Sequence, residues 1–166
     1  MTRATLFRLL AATAALACSS AAWAGSATST LSVTATVTGN CTVSTSPVAF
    51  GSVNPLSGAN VDATGGITVT CTNSTPWAAA AGVGSGTGAT FASRVMTAST
   101  NTLNYTLYTN SGRTTIWGDG TASTATIAGT GTGSAQSVTI YGRIPSGQTT
   151  APPGSYSDTV TVTVSY

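Results

Sequence analysis

Histidine, lysine and glutamate are absent from this 166-residue chain, and its charged residues are five arginines and three aspartates. Without histidine or lysine the usual Ser-His and Ser-Lys nucleophile and base pairs cannot be built. Three cysteines without histidine also fall short of a zinc set, and a calcium site would have to lean on backbone carbonyls. Long hydrophobic runs are missing too: the mainly apolar stretch at residues 9–17 is too short to span a bilayer. No apolar stripe of 3.6-residue period outlasts a turn, so nothing in the chain reads as an amphipathic helix.

What is present begins with a leader. Residues 1–24 have a basic start (Arg3, Arg8), the apolar stretch, and small residues at Ala22 and Ala24. That pattern is a secretory signal peptide, with cleavage expected after Ala24. Cys18 lies inside it, and Ala15 stands where a lipoprotein signal prefers leucine, so lipidation is not expected. Removal leaves 142 residues (166 − 24), one domain's worth. Arg94, Arg113 and Arg143 then balance Asp62, Asp119 and Asp158, and a neutral chain has no electrostatic footprint for nucleic acid or an anionic membrane. Cys41 and Cys71 remain, and an even count in an oxidising compartment predicts one disulfide. Closing such a loop contributes roughly 3.5 kcal/mol in the chain-entropy description.

The rest of the chain is punctuated by strand-like runs at residues 31–37, 48–53, 67–71, 77–83, 103–108, 138–144 and 155–166. NPLSG, NSTP, NSG, GDG and APPG separate them as turns. This spacing predicts an all-β antiparallel sandwich with Greek-key connections. GVGSGTG and TIAGTGTGSAQ read as glycine-rich connectors. In STLSVTATVTGNC, Leu31, Val33, Ala35 and Val37 alternate with Ser32, Thr34 and Thr36, the pattern of a strand with one apolar face. The terminal DTVTVTVSY does the same with Val160, Val162, Val164 and Tyr166, and no residue follows to form another strand. An apolar strand at the chain's end with no charge or proline to guard its edge calls for a partner.

Other candidate sites are weak. Asp62 and Asp119 could act as a glycosidase pair only if the fold brought them within about 5–10 Å, and turn roles are the expectation for Asp119 and Asp158. Gly84, Gly86 and Ala89 match a loose dinucleotide loop, but no helix pattern follows. Asn40, Asn73 and Asn104 each begin an N-x-T triplet, a chance product of a threonine-rich chain. Trp77, Trp117 and Tyr141 are expected to fill the core rather than form a sugar-binding platform. Tyr156 is expected in a tyrosine-corner role.

Taken in order, Cys41 after an N-terminal strand, AFG at 49–51, ITVTCT at 67–72, SRVM at 93–96, LNYTLYTN at 103–110, WGDG at 117–120, IYGRIP at 140–145 and the terminal GSYSDTVTVTVSY resemble the spore coat U domain family. Its members are subunits of archaic (Csu-type) chaperone-usher pili. The resemblance implies an incomplete immunoglobulin-like sandwich that lacks its last strand, with another molecule's strand filling the gap by β-augmentation. It divides the chain into a signal peptide (1–24), a donor-strand extension (25–40) and the pilin domain (41–166). Leu31, Val33, Ala35 and Val37 are then the donor residues, and Val160, Val162, Val164 and Tyr166 the edge of the acceptor groove. The implied partners are a periplasmic chaperone, an outer-membrane usher and neighbouring subunits. No cofactor, metal, nucleic acid or small-molecule substrate is implied, and the protein is expected at the cell surface, in adhesion and biofilm formation. The alternative is a secreted monomeric carbohydrate-binding module or a pilus-tip adhesin.

Overall fold

The computed structural model describes residues 23–166. The leader expected at residues 1–24 lies outside the described residues except for Trp23 and Ala24. The chain divides into two units, Met1–Ala35 and Thr36–Tyr166. Residues 23–35 of the first are exposed and contain neither helix nor strand.

The second unit carries β1 (Cys41–Ser46), β2 (Val61–Cys71), β3 (Pro76–Ala81), β4 (Arg94–Ala98), β5 (Asn101–Tyr108), β6 (Ile127–Thr130), β7 (Ala135–Ile144) and β8 (Val162–Ser165). One antiparallel sheet has the order β1-β2-β7-β5-β4, the other β6-β3-β8. Period-two alternation sends Ile67, Val69 and Cys71 of β2, Leu103, Tyr105 and Leu107 of β5, and Ile140 and Ile144 of β7 inward to meet Trp77, Ala79 and Ala81 of β3. The two sheets thus close over one core, as the sandwich expectation requires. Cys41 and Cys71 stand directly opposite each other in the β1–β2 register and are bonded.

Several local expectations are corrected. Residues 48–53 form no strand: Gly51 turns the backbone through a φ of 66°, and Pro47 and Pro55 flank the segment. Val48, Phe50 and Val53 are still half-buried against the core, so the alternation reflects burial without ladder pairing. Residues 31–37, expected to pair with another molecule, are in no strand of the single chain. Conversely β1, β4 and β6 arise where no strand was expected, and β6 occupies part of the supposed glycine-rich connector. Gly129 is needed there for space, since a Cβ would run into the Trp77 indole across the β3–β6 pair. The last run is shorter than its pattern. Ser157 bridges Thr97 at the edge of β4, after which the chain crosses to the other sheet and pairs with β3 as β8.

Candidate functional site

Among the described residues, β1 is paired only with β2, and β8 only with β3. The start of β1 lies beside the end of β8, where the Tyr166 hydroxyl donates to Asn40 Oδ1 at 3.4 Å. Toward the other ends of the two strands a cleft of about 400 Å³ opens between them. Thr45 and Ser46 form one wall, Val160 and Val162 the other, and Ile67, Leu107, Trp117 and Ile140 the floor. A second cleft of about 880 Å³ continues from it, sharing Val48, Phe50, Met96 and Tyr156. Both are lined largely by apolar side chains, and the cover over the core is incomplete. Val43 of β1 faces the same side as its partner Val69, yet Val43 is 39% exposed and Val69 0%.

The wall preceding β8 is held by Asp158. One carboxylate oxygen accepts from the Ser85 amide, the Ser85 hydroxyl and the Thr159 amide, each at 2.7 Å, and the other accepts from the Tyr105 hydroxyl at 2.7 Å. Gly84 carries a φ of 97°, and a Cβ there would run into this carboxylate. Burial works to raise the Asp158 pKa, but the bonds from Ser85, Tyr105 and Thr159 outweigh it and hold the carboxyl below its usual range. A depressed folded pKa contributes stability above the ordinary carboxylate range that is lost as pH falls through the folded value. Asp158→Asn is therefore expected to lower stability at neutral pH by about 1–2 kcal/mol, and to flatten the acid limb of a urea-midpoint against pH curve. The Tyr156 hydroxyl donates to the Pro152 carbonyl at 2.8 Å, four residues upstream, a tyrosine-corner arrangement.

Arg94 has a role that the sequence did not signal. Its side chain is fully buried, and its Nε, Nη1 and Nη2 donate to the carbonyls of Gly82 (3.0 Å), Phe91 (3.1 Å) and Trp117 (2.7 Å). It thereby ties three separate segments together beneath the cleft.

The other candidates fall into place individually. Val160, Val162 and Val164 pack against the core; Val160 and Val162 line the first cleft, whereas Val164 and Tyr166 lie outside its lining and Tyr166 is exposed. Leu31, Val33 and Val37 are 88%, 85% and 84% exposed, and Ala35 is exposed as well. Trp77 and Trp117 fill the core as expected, with indole N–H groups donating to Gln136 Oε1 and the Ala79 carbonyl. Tyr141 does not: out of phase with the inward Ile140 and Ile144 of β7, it lies half-buried under the Arg113 guanidinium. Asp62 takes a two-point contact from Arg143 and a further one from Arg113, while Asp119 closes a turn on Thr121. All three aspartates thus have structural partners.

The family model described as Spore Coat Protein U domain matches residues 27–163. No curated protein matches. Among solved structures, the chain is similar to one in the crystal structure of the CsuC–CsuE chaperone and tip adhesion subunit pre-assembly complex from archaic chaperone-usher Csu pili of Acinetobacter baumannii. The two share 26% sequence identity with a TM-score of 0.56, over 79% of this chain. The chain spans 40% of the length of that solved chain.

Proposed function

The chain belongs to the Spore Coat Protein U domain family, and from that membership we propose that it is a structural pilus subunit that polymerises at the cell surface by donor-strand exchange. The observation that carries this reading is a matched pair. The β1–β8 cleft is lined largely by apolar side chains where the two strands leave the core unbridged, with Val43 39% exposed, and the same chain presents Leu31, Val33 and Val37 to solvent. Residues 25–40 act as the donor extension of one subunit, and residues 41–166 as the acceptor domain of another.

Magnitudes favour a durable joint. Burying Leu31, Val33 and Val37 contributes roughly 5–9 kcal/mol in all, with Ala35 adding little. Some eight ladder hydrogen bonds add roughly 0.5–1.5 kcal/mol each, set against the entropy of ordering a tail. Before assembly a periplasmic chaperone covers the cleft, an outer-membrane usher exports the subunit, and the fibre serves adhesion and biofilm formation. Its role is architectural, with no catalytic step. Unheated electrophoresis of material sheared from the cell surface is expected to give a ladder that collapses to monomer on boiling. A single monomer band without heating overturns the proposal.

A further inference from the structure

Gly39 and Asn40 lie between the apolar run at 31–37 and β1, and Gly-Asn between two strand-like runs is a favoured two-residue hairpin turn. A hairpin here would lay the extension along the open edge of β1, in the chain's own cleft. The structure holds the junction otherwise. Neither Gly39 nor Asn40 has a positive φ. Asn40 lengthens the β1–β2 ladder by one residue: its amide donates to Thr72 Oγ1 at 3.1 Å and its carbonyl accepts from the Thr72 amide at 2.9 Å. The Tyr166 hydroxyl holds the Asn40 side chain, and a Cβ on Gly39 would sit 3.2 Å from the Thr75 side chain.

The offset between the two runs also has the wrong parity. Cys41, Val43 and Thr45 face the core, opposite Cys71, Val69 and Ile67. A turn over Gly39 and Asn40 would pair Thr38 with Cys41, Thr36 with Val43 and Thr34 with Thr45. Directly opposed residues share a face, so the hydroxyl face would enter the core and Leu31, Val33, Ala35 and Val37 would face water. Moving the turn to Thr38 and Gly39 pairs Thr36 with Cys41 and Thr34 with Val43, with the same result. Three-residue turns restore the apolar face only at a loss. One over residues 38–40 breaks the Asn40–Thr72 pairing, and one over residues 37–39 consumes Val37 in the loop.

We infer that this junction is built against self-insertion, so that the extension is reserved for the cleft of a second copy of the chain. The inference rests on the donor-strand reading above. Inserting one glycine between Gly39 and Asn40 removes the obstacle. A Gly-Gly turn then pairs Val37 with Cys41, Ala35 with Val43 and Val33 with Thr45, and Asn40 keeps Thr72.

The test refolds the oxidised chain from residue 25 without any partner and follows it by size exclusion and unheated electrophoresis. Wild type is expected as polymer or aggregate, and the insertion variant as monomer with a raised melting temperature. Thr38→Gly loosens the same joint at unchanged length and is expected to behave as wild type. A second variant exchanges neighbours at constant length (L31S, S32L, V33T, T34V, A35T, T36A, V37T, T38V) and is also expected to turn monomeric. If both variants remain polymeric or aggregated like wild type, or if Thr38→Gly alone yields monomer, the inference is overturned. A chain lacking residues 25–38, mixed with a peptide of residues 29–38, tests the underlying reading separately: if the peptide neither binds nor stabilises it, the donor-strand reading itself fails.

Discussion

Leu31→Asp combined with Val33→Asp is expected to abolish polymerisation while leaving the domain that carries the substitutions folded. In the proposed joint both side chains enter a cleft floored by Ile67, Leu107, Trp117 and Ile140, with no cation among its lining residues. Losing the two apolar side chains removes about 1.5–3 kcal/mol each, and burying an unpaired carboxylate costs several kcal/mol more. A deficit of about 7 kcal/mol is roughly five powers of ten in affinity. Both positions are exposed and outside every strand of their own chain, so the cleft and its disulfide are left as they were. The double variant should therefore still accept a donor. Mixed with wild type it is expected to shorten the polymers by capping them, which a misfolded variant cannot do. Ladders of undiminished length from the variant alone would sink the assignment of these two residues.

Strands buried through the middle of the sandwich were legible in the sequence, because β2, β5 and β7 carry apolar residues at alternate positions over most of their length. Of the edge strands only β8 was, as the end of the run at 155–166, while β1, β4 and β6 were not. CTVSTS of β1 bears one valine, and IAGT of β6 bears a glycine whose value is the room it leaves for Trp77. At residues 48–53 alternation misled for the opposite reason: side chains alternate into the core while the backbone bends at Gly51.

The unguarded terminal strand raised the question of a missing partner, but the site itself needed the third dimension. Nothing along the chain places β1 beside β8 or shows Val43 half-uncovered beside a buried Val69. The same limit hid the parity of the Gly39–Asn40 junction, since it depends on which face of β1 meets the core. Arg94 was illegible for a simpler reason. An arginine before an apolar residue in SRVM looks like any surface cation, and only the carbonyls converging on it reveal its place.

Those carbonyls make Arg94 the position where a conservative change should cost most. The guanidinium fork reaches Gly82, Phe91 and Trp117 from one planar group. A lysine ammonium is a single point that cannot meet three acceptors spread around such a fork. The bond to Trp117 is buried and those to Gly82 and Phe91 are partly so; a carbonyl left there without a donor costs about 1–3 kcal/mol, so Arg94→Lys is expected to lose roughly 2–4 kcal/mol and Arg94→Met roughly 3–6. Burial lowers the Arg94 pKa, with Tyr105 and Asp158 opposing the shift, so a neutral replacement escapes the cost of burying a charge but still orphans the carbonyls. The damage should reach the joint as well. Trp117 forms part of the cleft floor, and Gly82 donates its amide to the Thr161 carbonyl, between the two valines of the wall. Arg94→Met is thus expected to lower both the urea midpoint of the chain complemented by the 29–38 peptide and the affinity for that peptide. Arg143→Met supplies the control: its partly exposed side chain bonds only to Asp62, which Arg113 also contacts, and its loss should cost under about 1 kcal/mol and leave peptide affinity unchanged. Equal effects from the two substitutions would show that the buried fork does not hold the cleft open.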